Sequence, residues 1–358
     1  MISRCLERVA VAACGLMLAA APAMATDVKV ALIPGGPHPY FANWEQGAKD
    51  AQKAFPGIAA ADYKVPAKWE LGLQNQLIEN ATAQGYNAFL IFPGDPVATN
   101  SPMADLQSAG IPSIATAGCT KDPTPALFCF GTAVDHSAYL GTKELIKALG
   151  GKGTIVHFTG NLVDPNTQLR MDAVAQAVKE TNGAVKLLQT IADIDRTPQE
   201  ADDKINALLA ARGKDVDGII STAWLPSVSA ATALRRIGDK RIQMVGIDHD
   251  AVVLAAIKDG FVHGTMLQNP YGQAYVGSYV MEEIVGHGCK VNDKAPFKSN
   301  AYTTRFVDSG TTFQGADGVD HYADSMKAVT AELMKTFKAT YLTCPLVGQP
   351  RSPNPLPP

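Results

Sequence analysis

Two polar residues stand directly after predicted buried strands. Asp248 follows the apolar run 243–247, and Gln268 follows the run 264–267. In parallel sheets, ligands bind beyond the carboxyl ends of the strands, so these positions are candidates for binding chemistry. A buried carboxylate is costly unless it is paired or hydrogen-bonded. Asp248 is therefore a ligand-binding acid, the N-cap of a helix that starts near Val252, or both.

Further candidates lie in other segments that follow or border predicted strands. Arg170 is in the first turns of an apolar-faced helix, where a solvated surface arginine is the alternative. Aromatic side chains at strand ends are either core residues or ligand platforms, and residue type alone does not decide between them. The other candidates for ligand binding are His38, Tyr40, Phe41, Phe92, Asp95 and Trp224. His38 lies in a turn between two prolines, and the alternative is that it is a turn residue without a role in binding.

Motifs for catalysis are absent from the sequence. There is no H-E-x-x-H, G-x-S-x-G or G-x-G-x-x-G motif, and Gly150-Gly151-Lys152-Gly153 lacks the ending of a Walker A loop. Asp248 and His38 could form an acid–base pair, but no nucleophile or metal cluster accompanies them. We expect a binding protein that is not an enzyme and has no cofactor or metal.

The elements that position these residues alternate along the chain. Short apolar strands separated by amphipathic helices indicate an α/β protein with parallel sheets covered on both faces. The pattern restarts after Asp135, so two such arrays are joined in series. The predicted strands are 28–33, 88–91 and 111–115, and then 153–158, 185–191, 218–221, 243–247 and 264–267.

Residues 1–25 have the three zones of a secretory signal peptide. A positively charged start precedes an apolar run over 9–21, and Ala23-Met24-Ala25 fits a cleavage site. The apolar run is too short to span a bilayer, and no later segment reaches ~18 uninterrupted apolar residues. A core N-terminal helix is the alternative. We expect cleavage, a mature chain from Thr26 and a periplasmic location.

The charge balance gives no support for a nucleic-acid or membrane-surface partner. Without residues 1–25 the chain has 29 basic and 33 acidic residues, a net charge of −4. Binding to phosphate backbones or anionic lipids requires a basic surface, which this composition does not indicate.

Four cysteines remain after residue 25, and they indicate disulfides. They are Cys119, Cys129, Cys289 and Cys344. An even number in an oxidising compartment suggests pairing, and four cysteines allow three arrangements. Pairing of Cys119 with Cys129 would close a short loop, and Cys289 with Cys344 would then hold the C-terminal segment. Free thiols are the alternative, and metal binding is less supported because no C-x-x-C spacing occurs.

Several segments together resemble type I periplasmic solute-binding proteins of the ribose-binding cluster, which are receptors of sugar ABC transporters. The resemblance runs in family order over residues 28–310, and no single segment is specific. The matching segments are Pro39-Tyr40-Phe41 with Gly47-Ala48, Phe92-Pro93-Gly94-Asp95, Ala109-Gly110-Ile111-Pro112, Arg170, Val245-Gly246-Ile247-Asp248, and Gly264-Thr265-Met266-Leu267-Gln268-Asn269-Pro270-Tyr271.

The resemblance implies two Rossmann-like lobes with solute enclosed between them. Three crossovers are expected, near Gly131–Asp135, Gln268–Pro270 and Thr303–Phe306. The implied division is a signal peptide over 1–25, an N-terminal lobe over 26–132 plus 269–304, a C-terminal lobe over 133–268 plus 305–340, and a proline-rich tail over 341–358. This tail is either disordered or a docking peptide.

The resemblance also implies roles for site residues. In sugar-binding relatives, aromatic rings sandwich the pyranose, and an arginine, an aspartate and a glutamine hydrogen-bond its hydroxyls. Carried over, the rings are Tyr40 and Phe41, and the hydroxyl-binding residues are Arg170, Asp248 and Gln268. Sugar C–H faces suit aromatic planes, and hydroxyls need both donors and acceptors.

Departures from the family pattern affect the expected solute. The Asp-Arg pair after the fourth strand is Ala117-Gly118 here, two asparagine positions hold Phe92 and Trp224, and the far-lobe aromatic position is Ile194. A buried hydroxyl without a partner costs roughly 1–3 kcal/mol. We therefore expect a smaller, more reduced or partly apolar polyol-like solute, or one with an aromatic part.

The function implied is that of a monomeric periplasmic receptor that delivers a small sugar, sugar alcohol or related polyol to an ABC permease in the inner membrane. One alternative is a periplasmic sensor that reports to a chemoreceptor or histidine kinase. Another is the same receptor fold with a non-sugar aromatic or carboxylate solute. A LacI-type regulator shares the two-lobed core but needs an N-terminal helix-turn-helix and a basic surface.

Overall fold

The computed structural model describes residues 27–238 and 240–345 and confirms the α/β fold class. The predicted signal peptide and residues 346–358 of the predicted tail lie outside the described residues. Within the described ranges, no helix combines the length and apolar character needed to cross a bilayer.

The elements alternate as the sequence predicts. The strands are β1 (Val28–Ile33), β2 (Ile58–Tyr63), β3 (Ala88–Ile91), β4 (Ser113–Thr116), β5 (Cys129–Gly131), β6 (Gly153–Phe158), β7 (Val185–Ile191), β8 (Gly218–Ser221), β9 (Gln243–Ile247), β10 (Gly264–Leu267), β11 (Lys290–Val291), β12 (Phe306–Asp308), β13 (Thr312–Gln314) and β14 (Leu342–Thr343). The helices are α1 (Ala42–Ala54), α2 (Leu71–Ala83), α3 (Asn100–Ser108), α4 (Val134–Ala148), α5 (Pro165–Lys179), α6 (Pro198–Arg212), α7 (Trp224–Ile237), α8 (Ala251–Lys258), α9 (Pro270–Met281) and α10 (Tyr322–Tyr341).

Each lobe is built on a six-stranded sheet. The first sheet has the order β12-β5-β4-β3-β1-β2 and is parallel throughout. The second has the order β13-β10-β9-β8-β6-β7, and only its edge strand β13 is antiparallel. In both sheets the direction of chain progression reverses beside the first strand, between β1 and β3 and between β6 and β8. That reversal opens a crevice at the carboxyl ends of the strands.

Apolar residues cover both faces of each sheet. In the first lobe, Leu32 and Leu90 belong to a core cluster with Trp44 of α1 and Val276 of α9. The opposite face of that sheet packs against α2 and α3, through residues such as Ile78 and Met103. The strands therefore have fixed positions, and the loops after them present their side chains on a rigid support.

The chain crosses between the lobes three times, and the third crossing differs from the prediction. The first two lie between β5 and α4 and between β10 and α9, as expected. Strand β12 pairs in parallel with β5 of the first lobe, and β13 pairs with β10 of the second. The third crossing is therefore Ser309–Thr311, rather than Thr303–Phe306.

The predicted assignment of residues 305–340 to the C-terminal lobe is corrected for the same reason. Strand β12 belongs to the first sheet, and α10 packs against α9. Phe337 of α10 is buried in the core cluster of the first lobe. Only part of this segment, including β13, belongs to the second lobe.

Both predicted disulfides are confirmed. Cys119 is bonded to Cys129, with Cα atoms 5.3 Å apart, and joins β5 to the loop after β4. Cys289 is bonded to Cys344, with Cα atoms 4.1 Å apart. The second bond lies beside the antiparallel pair of β11 and β14 and holds the end of α10 to the first lobe.

Candidate ligand-binding site between the lobes

A cavity of about 410 Å³ lies between the two lobes, at the carboxyl ends of the strands. The loops after β1, β2, β3 and β4 line it from the first lobe, and residues after β6, β7, β8, β9 and β10 line it from the second. The lining residues are Pro37, His38, Tyr40, Phe41, Trp69, Phe92, Ala117, Asn161, Val163, Asp164, Asn166, Arg170, Asp195, Arg196, Ala223, Trp224, Asp248 and Gln268. All of the predicted ligand-binding residues except Asp95 are among them.

Asp95 is placed outside the cavity, which corrects its assignment to the site. Its Oδ1 accepts hydrogen bonds from the backbone N–H groups of Val97 (2.8 Å) and Ala98 (2.7 Å), so the side chain closes a turn. Ile194, predicted to hold the far-lobe aromatic position, is buried in the core of the second lobe. Its neighbour Asp195 lines the cavity instead.

Asp248 is a buried carboxylate at the end of β9. It is 3% exposed, and its Oδ1 accepts a hydrogen bond from Nε2 of Gln268 at 2.8 Å. Helix α8 is capped by Asp250, so Asp248 does not have the alternative role as its N-cap. The backbone of Asp248 has a φ of +68°, a region that L-residues rarely adopt and that is common at functional sites. Burial raises the pKa of Asp248 to about 6, although the hydrogen bond from Gln268 and the charge of Arg170 oppose the rise.

Arg170 is buried on α5, which excludes the solvated surface alternative. It is 7% exposed; its Nη2 lies 3.5 Å from Oε1 of Gln268, and its Nη1 lies 3.8 Å from Oδ2 of Asp164. Its Nε has no hydrogen-bond partner among the described residues. Asp164 is the N-cap of α5 and precedes a proline at the first helical position. Burial raises the pKa of Asp164, and the charge of Arg170 opposes this rise.

Aromatic rings form the wall of the first lobe. Phe41 contacts Phe92 and Trp69, with ring centroids 5.4 and 6.3 Å apart, and Trp69 lies 5.5 Å from Phe92. Trp69 packs directly against the turn after β1: a Cβ atom added to Gly35 or Gly36 would lie 2.8 Å from its nearest atom. The absence of side chains at these two glycines leaves the space that the Trp69 ring occupies.

Tyr40 lines the cavity, but its hydroxyl is directed to the first lobe. The hydroxyl donates to Oε1 of Gln273 at 3.0 Å, and the indole N–H of Trp44 donates to the same atom at 3.2 Å. Tyr40 therefore offers its ring to the cavity and fixes the turn through its hydroxyl.

The departure at Ala117-Gly118 has a steric explanation. A Cβ on Gly118 would meet the ring of Phe92 at 3.0 Å, so the ring occupies the space that a longer side chain would need. Ala117 has a φ of +65° and lines the cavity. The arginine position of the family is thus replaced by an aromatic surface.

Direct contacts join the two lobes across the cleft. Nε2 of His38 lies 3.5 Å from Oδ2 of Asp195, and Nδ2 of Asn166 donates to the carbonyl of Ala117 at 3.2 Å. Nδ1 of His38 accepts the backbone N–H of Tyr40 at 3.2 Å, which places the proton of the imidazole on Nε2. Burial lowers the pKa of His38, but the hydrogen bond and charge of Asp195, together with the charges of Asp248 and Asp164, outweigh it, and the net pKa is raised. These contacts describe a closed arrangement of the lobes.

Several residues of the lining are not among the predicted ligand-binding residues. They are Trp69, Asn161, Asp164, Asn166, Asp195 and Arg196. Most lie on the loops after β6 and β7, where short polar side chains are also ordinary turn residues. Asp164 before Pro165 carries a helix-start signal, but this signal does not distinguish a cap from a ligand contact.

Comparisons with known proteins agree with this architecture. A family model described as a periplasmic binding protein domain matches residues 30–288. A xylitol-binding protein from Mycolicibacterium smegmatis is 25% identical over 284 residues, which cover 78% of this chain and 79% of that protein. A D-apiose import binding protein from Paraburkholderia graminis is 25% identical over 195 residues, covering 54% of this chain and 62% of that protein.

A solved structure has the same fold over most of the chain. An ABC transporter solute binding protein from Burkholderia graminis, in complex with D-arabinose, superposes with a TM-score of 0.71 at 21% identity. The match covers 82% of this chain and 97% of that one.

Proposed function

The chain belongs to the periplasmic binding protein domain family, and we propose that it is the substrate-binding receptor of an ABC importer for a small sugar, sugar alcohol or related polyol. The observation that carries this proposal is the buried set of Asp248, Gln268 and Arg170, which faces an aromatic wall across a closed cavity. Such a site offers donors and acceptors to hydroxyls and flat apolar surfaces to C–H groups.

The polar lining supports a hydroxylated solute. Besides the three residues above, the second lobe contributes Asn161 and Asn166 to the cavity. Arg170 lines the cavity, and its Nη atoms make only long contacts, at 3.5 Å to Gln268 and 3.8 Å to Asp164, so a hydroxyl oxygen would provide a better acceptor. Two relatives, a xylitol-binding protein and a D-apiose import binding protein, are named for solutes of the same class.

A carboxylate solute has less support. Three carboxylates line the cavity, at Asp164, Asp195 and Asp248. Another anion would be repelled by all three at short range in a poorly solvated site, and among the described residues that line the cavity Arg170 is the only buried arginine or lysine to oppose them.

The proposed mechanism is binding without chemistry. The solute bridges the first-lobe turn of Tyr40 and Phe41 to Asp248, Gln268 and Arg170 of the second lobe, and its preference for the closed form shifts the population towards that form. A permease in the inner membrane would recognise the closed lobes of a periplasmic monomer.

A thermal-shift screen of the mature protein, stripped of solute, tests the proposal. Sugars, sugar alcohols and cyclitols are compared with aromatic and aliphatic carboxylates at equal concentrations. A ligand that binds the folded state stabilises it by RT ln(1 + [L]/Kd), so a polyhydroxylated solute is expected to raise the Tm. A response confined to carboxylates would contradict the proposal.

A further inference from the structure

Three acidic residues line the cavity, together with two arginines and His38. Asp164, Asp195 and Asp248 line it, and Arg170 is the only buried guanidinium among the described residues that line it. The side chain of Arg196 is 55% exposed and lies 3.3 Å from a carboxylate oxygen outside the cavity, on Asp193. Even with His38 protonated, the three carboxylates exceed Arg170 and His38 by one negative charge; Arg196 is left out of this balance because it is mostly exposed and paired with Asp193.

The excess charge is centred on Asp248. The cations nearest to the other two acids are Arg170, 3.8 Å from Asp164, and His38, 3.5 Å from Asp195. The hydrogen-bond partner of Asp248 is the neutral amide of Gln268, and the described residues supply no hydrogen bond to its second oxygen. The charges of Arg170 and His38 also act on Asp248, but neither forms an ion pair with it, and burial still raises its pKa. A buried carboxylate without an ion-pair partner is costly, so a cation is the favourable complement.

The aromatic rings of both lobes that line the cavity also favour a cationic solute. Phe41, Trp69, Phe92 and Trp224 line the cavity, and none of the cation–π contacts of the described residues involves them. Alkylammonium groups bind between carboxylates and aromatic faces in proteins. Hydroxyl groups alone would satisfy the hydrogen bonds and leave the charge unbalanced.

We propose that the solute carries a protonated amine and is an amino sugar or amino polyol. This inference rests on the proposed function, since it names the solute class for the same site. The ammonium group lies near Asp248 and the aromatic rings, and the hydroxyls of the solute bind the guanidinium of Arg170 and the amides of the second lobe. The raised pKa values of Asp248 and Asp164 have burial as their first cause, and a bound cation would lower both.

Matched pairs of ligands test the inference by calorimetric titration at pH 7. The pairs are D-glucosamine with D-glucose, D-galactosamine with D-galactose, and 1-amino-1-deoxysorbitol with sorbitol. At least one amine is expected to bind about tenfold or more tightly than its neutral counterpart, the factor that corresponds to about 1.4 kcal/mol. N-acetyl-D-glucosamine, which keeps the nitrogen without its charge, is expected to lose that advantage.

A substitution that removes the charge of Asp248 but keeps its shape tests the role of that charge. The outcomes also distinguish the amine proposal from the proposed receptor function. Asp248→Asn should reduce the preference for the amine more than it reduces the affinity for the neutral member of a pair. Equal or tighter binding of the neutral member in every pair that binds would overturn the amine and leave the polyol receptor standing. If no member of any pair binds and no polyol raises the Tm, both proposals are overturned.

Discussion

Asp248 and Arg170 are both more than nine-tenths buried, and each has a polar atom without a hydrogen-bond partner among the described residues. Gln268 connects them, because its amide nitrogen donates to Asp248 while its oxygen lies 3.5 Å from Arg170. A solute that completes these bonds gains more than it would on an exposed surface, since unmet hydrogen bonds are costly in a closed site.

Substitution of either charged residue should therefore weaken binding strongly. Arg170→Ala and Asp248→Ala are each expected to cost about 1.5–3 kcal/mol of binding free energy, because a hydrogen bond to a charged group is removed and its partner is left unpaired. Calorimetric titration with the solute found by the screen gives the two Kd values. Asp95→Asn is the control, since that residue lies outside the cavity; wild-type affinity in both alanine variants would remove Arg170 and Asp248 from the site.

Binding should weaken in acid. The pKa of Asp248 is about 6 in the ligand-free protein, and donors on the solute favour the ionised form and lower this pKa in the complex. The affinity is therefore highest above pH 6. It falls as the pH decreases below 6, by at most about tenfold per pH unit for one proton. Titrations between pH 4.5 and 7.5 measure the slope.

Two variants identify the residue that causes this dependence of the affinity on pH. Asp248→Asn should abolish it, whereas His38→Gln should retain it. Protonation of His38 favours its contact with Asp195 and acts in the opposite direction, since the pKa of His38 is raised by that carboxylate against the effect of burial. An affinity that is constant or rises towards pH 4.5 would be inconsistent with an ionised Asp248 as the acceptor.

At the scale of elements, the apolar strands could be predicted and an edge strand could not. Runs such as Ala88–Ile91 are buried along their whole length, which makes them conspicuous in the sequence. Strand β2, Ile58–Tyr63, was missed because only two of its six residues are fully buried and three are alanines. The third crossing was placed too early because β12 has only three residues, and its pairing with β5 is a tertiary contact.

A cavity-lining residue could be predicted where it directly follows a buried strand. It could not be predicted where a loop carries it to the cavity. Asp248 and Gln268 directly follow β9 and β10. Asp195 and Trp69 lie in loops, and each reaches the cavity through contacts with distant segments, at His38 and at Gly35-Gly36. Sequence spacing contains no information on such contacts.

The two disulfides should differ in their effect on binding. The double substitution Cys289→Ser/Cys344→Ser removes a link across 55 residues, which lowers the free energy of unfolding by up to about 4 kcal/mol on the loop-entropy model. No cavity-lining residue lies on β11 or β14, so the Kd should change by less than about twofold. Chemical denaturation and calorimetry measure the two quantities.

The Cys119→Ser/Cys129→Ser variant is the matched comparison. Its loop spans 10 residues and predicts a smaller loss of about 3 kcal/mol. Cys119 is two residues from Ala117, which lines the cavity, so the affinity should fall as well. Equal effects of the two variants on the Kd would contradict this assignment.

At the scale of the whole molecule, direct contacts between residues of the two lobes hold the cleft closed, in addition to the contacts that a solute makes. His38 meets Asp195, Asn166 donates to Ala117, and Nδ2 of Asn43 lies 2.8 Å from Nε2 of His249. Because these contacts join residues of different lobes, opening of the cleft would break them, so they favour closure in addition to the solute itself.

Loss of a contact between the lobes should therefore accelerate release. His38→Gln or Asn166→Ala is expected to raise the dissociation rate by about tenfold, while the association rate changes by less than about threefold. Stopped-flow fluorescence measures both rates. His321→Gln, on the exposed surface, is the control, and an unchanged dissociation rate in both cleft variants would show that these contacts do not stabilise the closed form.

Fluorescence titration of the solute-free mature protein tests the central claim most directly, because two of the three tryptophans, Trp69 and Trp224, line the cavity. We predict that the polyhydroxylated solute found by the screen produces a saturable change with one site per chain. Asp248→Asn should weaken this binding by at least about tenfold, as expected for the loss of a charged acceptor. The same Kd in wild type and Asp248→Asn would mean that the solute binds elsewhere, and it would contradict the assignment of the cleft as the receptor site.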